Sequence, residues 1–474
     1  MIFHSLDFVA FFLITLAAYW LLPRRSQNVL LLVASYLFYG WIHAWWPVLL
    51  FATTFVDYWV ARGMAALPEP ELKRRQLWLW LSIVSNLGLL GFYKYFEFFV
   101  ENVAAAGEAI GWPVPPIALR VILPAGISFY TFQSMSYTID VYRGHALARS
   151  RFVDVAAFVS FFPHLVAGPI MRATNLLPQF ERERTFDPAA ARDATLLVVW
   201  GLFKKLVIAD NVGVIANKVF ALESPEFFVL WAGVFAFAIQ IYADFSAYTD
   251  IARGVAKWYG FDLIRNFERP YLAIGPADFW RRWNISLSTW FRDYVYIPLG
   301  GSRHGRWREA GNIVITFLVS GLWHGASWNY VLWGAYHGAL LLAGRFGPTT
   351  LRPPRVVRIA GMFVLTCVGW LIFRETEISQ LMRHFQLSPW DSTPLGRSAG
   401  LYLFLLVALY SIPLWIHDVW AEMRAPDLLQ AIDVPEQSVR WPRVATQAAL
   451  CGVLVAAILT LRSQTALNFI YFAF

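Results

Sequence analysis

Charge is scarce in this chain: only 15% of its 474 residues are Asp, Glu, Lys or Arg, while 58% are hydrophobic and 17% aromatic. That is too little charge to cover a soluble globule, so the composition excludes an ordinary water-soluble domain and points to a polytopic membrane protein. Cysteine is scarcer still. Cys367 and Cys451 are the whole complement, and both lie inside apolar runs, which excludes a disulfide framework or a thiolate metal site. Internal repeats and low-complexity tracts are missing, so one membrane domain over 1–474 is expected. The first apolar segment, 7–22, lacks a basic leader and is followed by Pro23, Arg24 and Arg25, which reads as a retained first span.

Tryptophan is abundant, with 23 residues suited to the two water interfaces. The formal charge of +8 fits basic loops facing anionic lipid and does not call for nucleic acid. Runs near the bilayer thickness predict spans at 7–22, 29–61 as a hairpin, 77–99, 117–139, 195–215, 227–250, 311–346 as two helices, 359–374, 398–418 and 444–462. The expected fold is all-α, with about 10–12 spans plus re-entrant and interfacial helices. Pro163, Gly168 and Pro169 mark 152–172 as a broken, protein-buried segment. Basic residues at Arg24, Arg25, Arg62, Lys73, Arg143 and Arg149, against a loop from Glu101 to Pro116 without Lys or Arg, place 253–310 in the cytoplasm and both termini outside.

Within 311–346 an ionisable side chain, His324, sits near the middle of an apolar run. An imidazole in such a place costs of order several kcal/mol unless it is paired, faces a cavity or is used. Gly321 and Gly325 remove bulk beside it, admitting a substrate or another backbone, and Ser320 one turn earlier could hold one ring nitrogen. A satisfied core histidine is the competing reading, and His337 is the rival histidine. The stretch 267–303 is apolar and basic together. It predicts one interfacial helix from Gly275 and Pro276 to Pro298, with Phe279, Trp283, Leu287 and Trp290 on one face and Asn284 and Ser288 on another. Asp244 and Asp250, inside the 227–250 span, call for a partner, and Arg281 and Arg282 are the expected one.

FWRRWNISLSTW, FRDYVYIPLGG and LWHG, with FFPHLVAGPIMR, LFKKLVIAD, QIYADFSAYTDIA, WLIFRETEISQ and NFIYFAF in order, resemble the membrane-bound O-acyltransferase superfamily, in its alginate O-acetyltransferase membrane-subunit branch. The resemblance implies a membrane fold with a central tunnel, and transfer of an acetyl group from a cytoplasmic acyl thioester, such as acetyl-CoA, toward hydroxyls of an exported polysaccharide. No tightly bound cofactor is implied. It assigns catalysis to His324 and Asn284, and the donor's polyanionic tail to the surroundings of Arg281, Arg282, Trp283, Ser288 and Arg303, with Arg306 and Arg308 nearby. The branch commonly has His where this chain has Asn284, a departure that speaks against any mechanism needing two titrating histidines. Implied partners are membrane lipids, a periplasmic esterase-like transferase and the exopolysaccharide machinery, at a bacterial inner membrane. Two alternatives stand beside it: a transporter or polysaccharide conduit using Asp244, Asp250 and His324 as a proton relay, and an acyltransferase acting on lipid, protein or teichoic acid.

Overall fold

The computed structural model describes residues 1, 3–68, 71–112, 122–347, 353–424, 441–465 and 467–470. Among these residues the protein is all-helical. Helices α1 (Leu6–Trp20), α2 (Arg24–Gly40), α3 (Trp46–Ala65), α4 (Leu72–Leu90), α5 (Phe96–Ala109), α6 (Ile127–Tyr142), α7 (Phe152–Ser160) and α8 (Ala173–Glu181) come first. They are followed by α9 (Pro188–Phe203), α10 (Asp210–Phe220), α11 (Phe227–Trp258), α12 (Pro276–Arg282) and α13 (Ile285–Phe291). The last six are α14 (Arg306–His324), α15 (Trp328–Phe346), α16 (Arg355–Arg374), α17 (Ile378–Gln386), α18 (Pro394–Arg424) and α19 (Trp441–Leu461). The chain divides into two compact units, Met1–Ala194 with Ala252–Ile264, and Thr195–Ile251 with Arg265–Phe474.

Five helices of the described residues are long and apolar enough to cross a membrane: Leu72–Ala109, Phe227–Trp258, Arg355–Arg374, Pro394–Arg424 and Val444–Leu461. The protein is therefore a multi-pass membrane protein. Other expected spans are helical but shorter or less apolar, as with the 15 residues of α1. The expected span 195–215 falls on α9 and α10, joined through a π-helical turn at Lys204–Ala209. Residues 117–121 of the expected span 117–139 lie outside the described residues.

In the first unit, buried polar side chains answer one another. Asp57 of α3 accepts from Ser82, Ser134 and Asn86, and Arg184 donates to Gln27 and Asn28. The predicted break at 163–169 is present as buried turns between α7 and α8. Gly126 packs against it in a left-handed conformation (φ 77°), where a Cβ would press on the Leu165 and Val166 backbone.

In the second unit the apolar run containing His324 is two helices, as expected. They approach backbone to backbone: a Cβ on Gly321 of α14 would collide with the Tyr330 carbonyl, and one on Gly334 of α15 with the Phe317 carbonyl. These glycines serve helix packing, as small residues do where membrane helices meet closely. Asp244 and Asp250 do take structural ion pairs, but with other cations than expected. Lys205 reaches Asp210 at 2.8 Å and Asp244 at 3.0 Å, and Lys204 reaches Asp250 at 2.7 Å. The π-helical turn sets both lysines on α11, whereas Arg282 is paired elsewhere.

Candidate active site

The cytoplasmic-type stretch 276–298 is not one helix. Helix α12 stops at Arg282, Trp283 is extended (φ −99°, ψ 126°), and Asn284 turns left-handed (φ 40°, ψ 58°) before α13 begins. The expected face shared by Phe279, Trp283, Leu287 and Trp290 is cut at that point. The cause is a neighbouring segment that a helical spacing does not reveal. The carbonyl of Asn266 accepts from the Ile285 N–H at 2.9 Å, its side-chain oxygen accepts from the Ser286 N–H at 3.2 Å, and the Glu268 N–H donates to the Arg282 carbonyl at 2.9 Å. Residues 266–268 thus satisfy the backbone groups that a continuous helix would have paired internally. Among the described residues, Asn284 and Arg269 are the two non-glycine residues with left-handed φ. Asn tolerates that region better than most, because its short side chain can bond locally.

The Asn284 carboxamide does not do so. The residue is 1% exposed, and among the described residues neither its Nδ2 nor its Oδ1 meets a hydrogen-bond partner. Each such buried group costs about 1–3 kcal/mol when left unmade. Three more buried atoms in the same condition lie in the adjoining aromatic wall: Trp280 Nε1, Trp333 Nε1 and His337 Nδ1. Ring contacts join them, with Trp280 to His337 at 5.1 Å, Trp280 to Trp333 at 5.7 Å and Trp333 to His337 at 4.7 Å. Unanswered polar atoms gathered in one apolar surrounding make this a candidate place for a ligand to complete the bonding.

His324 closes this wall. It is the last residue of α14, 6% exposed, with its ring edge-on to Trp333 at 4.9 Å and to Phe373 at 5.3 Å. Trp283 stands 4.8 Å from Trp370, which stands 5.6 Å from Phe373, so an unbroken chain of rings runs from the residue beside Asn284 to His324. His337 also meets Trp333, so both histidines contact the same indole. Several tryptophans expected at the interfaces are instead buried here, with Trp283, Trp333 and Trp370 among the largest fully buried side chains. Gly325 ends the helix beside His324, and a Cβ there would run into the Tyr330 ring.

The predicted donor-side residues separate into two groups. Arg281 and Arg303 are exposed. Arg282 is half-buried and held between two carboxylates, donating to Asp278 at 3.1 Å and to Glu422 at 3.0 and 3.3 Å. Trp283 is buried in the wall, and Ser288 donates to the Trp283 carbonyl at 3.0 Å, bracing the turn around Asn284. Burial works to raise the Asp278 pKa, but the Ile274 N–H and the Arg282 and Arg281 guanidinia outweigh it and hold the carboxyl below its ordinary range. Burial likewise works to lower Arg282, and its bonds to Glu422 and Asp278 carry it upward instead. Glu422, Trp333 and Trp370 were not singled out from the sequence. Glu422 lies far along the chain from 282, and the tryptophans carry no spacing signal beyond that of packing.

Residues 31–379 match the model of the membrane-bound O-acyltransferase family. The chain belongs to that family. As a membrane-bound O-acyltransferase, it is 39% identical to a probable alginate O-acetylase, AlgI, of Pseudomonas putida, over 100% of both chains. It is 32% identical to a peptidoglycan O-acetyltransferase of Helicobacter pylori, covering 79% of this chain and 77% of that one. A teichoic acid D-alanyltransferase of Bacillus subtilis is 26% identical over 52% of this chain and 68% of its own length. The chain is thus an O-acyltransferase of the membrane, and the enclosed wall ending at His324 is its candidate active site.

Proposed function

We propose that this O-acyltransferase takes an acetyl group from a cytoplasmic thioester and delivers it toward hydroxyl groups of an exported polysaccharide across a bacterial inner membrane. The observation that carries this reading is the likeness to the alginate O-acetylase AlgI, which extends over the full length of both chains. The geometry fits it. Helix α14 runs 19 residues, about 28 Å, from exposed Arg306 and Arg308 to His324. With Arg281 and Arg303, these cations suit the polyanionic tail of a coenzyme A thioester or the phosphopantetheine of a carrier protein.

At the other end, neutral His324 takes the proton from the acceptor hydroxyl as that oxygen attacks the thioester carbonyl. The Asn284 amide donates to the carbonyl oxygen as it gains charge, and as the carbon–sulfur bond breaks His324 returns the proton to the sulfur, so the donor leaves as a thiol. Asn can donate but cannot act as a base at neutral pH, so the proton goes to His324. The aromatic wall excludes water, which strengthens the donated bond and protects the acyl group from hydrolysis. Delivery across the bilayer calls for a passage that reaches His324 from both compartments. A periplasmic esterase-like transferase would then place the group on the sugar.

The test is transfer by the purified protein in sealed vesicles, with labelled acetyl-CoA supplied on the Arg303 side and the periplasmic transferase with a deacetylated polysaccharide on the other. Label bound covalently to the polymer, dependent on the protein, is the expected result. Movement of polymer without acyl transfer would favour a conduit, and label on lipid or on teichoic acid alone would change the acceptor.

A further inference from the structure

Asn284 is held in an unfavourable backbone conformation with a carboxamide that no described residue engages in a hydrogen bond. Something outside the turn has to keep it so, because strain of this kind persists only where the surroundings over-determine it. The turn has two arms. One is residues 266–269, which bond to the backbone on both sides of Asn284 and end at Arg269, itself left-handed with φ 50°. The other is the end of α12, where Arg282 lies two residues before Asn284.

A single carboxylate reaches both. Glu422, near the end of α18, accepts from Arg269 Nε at 2.8 Å and from Arg282 Nη1 at 3.0 Å and Nη2 at 3.3 Å. Arg355 at the start of α16 adds a third guanidinium at 2.6 Å, and Asp278 holds the remaining edge of Arg282 at 3.1 Å. The side chains of Glu422, Arg269 and Arg282 are 14%, 7% and 13% exposed, so solvent screening is weak and the forked geometry is kept.

We infer that Glu422 is a positioning residue for acyl transfer, clamping the two arms of the turn so that the Asn284 carboxamide stays aimed at the reacting carbonyl. This rests on the role given to Asn284 above. It also gives Arg282 a duty different from holding the donor's anionic tail, which remains to the exposed Arg281 and Arg303. The clamp acts on the transition state through Asn284. Loosening it lowers kcat and leaves donor KM nearly unchanged.

The experiment measures acetyl transfer from acetyl-CoA by E422Q and R269K, each alone and each combined with N284A. E422Q keeps the size of the side chain, and R269K keeps the charge but removes the Nε donor that reaches Glu422, so the two loosen the clamp independently. A misplacement of about 1 Å can cost about 100-fold. We expect kcat to fall at least about tenfold in either single variant, with donor KM within about twofold of wild type. In the N284A background, the further loss should shrink to less than about threefold, because the clamp no longer has a carboxamide to hold.

A rise in KM at unchanged kcat would make the cluster a donor site and overturn the inference. So would an equal further loss in the N284A background, which marks general support of the fold. If N284A alone turns over like wild type, the role of Asn284 falls and the clamp's purpose with it. If N284A is impaired while E422Q and R269K are not, only the clamp falls. Should E422Q fail to accumulate in membranes, R269K decides by the same criteria.

Discussion

Asn284 carries two costs at once, a left-handed backbone and an unanswered buried amide, and a side chain that only filled space would carry neither. N284A should therefore cost about 3 kcal/mol of barrier, about 100-fold or more in kcat, with the protein folded as before. N284H should retain measurable turnover, since a neutral imidazole can also donate. Initial rates of acetyl transfer check both. Asp278 invites a second test. Its carboxyl is held below its ordinary range, so the stability it lends is complete above about pH 4 and is lost as pH falls through the lower folded value. D278N should flatten the decline in thermal midpoint of the detergent-purified protein as pH falls below about 4. An unchanged slope would deny Asp278 that part. His324 stands out as a candidate in the sequence because it is a polar side chain in an apolar run, and Asn284 is a candidate through the family resemblance. The clamp was not legible there, because Glu422 is 140 residues from Arg282 and charge pairing over that distance leaves no mark in spacing.

At the scale of elements, the crossing of α14 and α15 fixes where His324 points. Gly321 and Gly334 face the opposite helix's backbone, whereas Gly361 of α16 meets nothing within 4 Å. G334L should therefore separate the two helices and destabilise the protein by about 1–3 kcal/mol or more, while G361L is tolerated. Thermal midpoints in detergent distinguish them, and equal midpoints would contradict the packing. A bulky residue at Gly325 would push on Tyr330 before it obstructed any passage, so it does not test for a tunnel. The division of 311–346 into two helices could be read from its length. The break at Trp283 and Asn284 could not, because the aromatic spacing satisfies a helix and residues 266–268, brought alongside by the fold, supply the competing backbone bonds.

For the whole molecule, apolar composition sufficed to give an all-helical membrane protein. The number of spans was less legible, because helices such as α3 and α14 carry polar residues that answer one another inside the protein and lower their apparent hydropathy. The basic residues of 253–310 predict a cytoplasmic face for that stretch. A single cysteine at exposed Ser302, in a chain with Cys367 and Cys451 replaced, should react with a membrane-impermeant maleimide only after the cytoplasmic face is opened. Labelling from outside intact cells would invert the orientation.

The account turns on acyl transfer at His324. The most direct measurement is a single turnover of labelled acetyl thioester by the wild type and by H324A, with matched membrane levels and the label followed into the hydroxyl acceptor. Loss of two to four orders of magnitude, about the worth of a general base, is the predicted result. Transfer by H324A at the wild-type rate would contradict it.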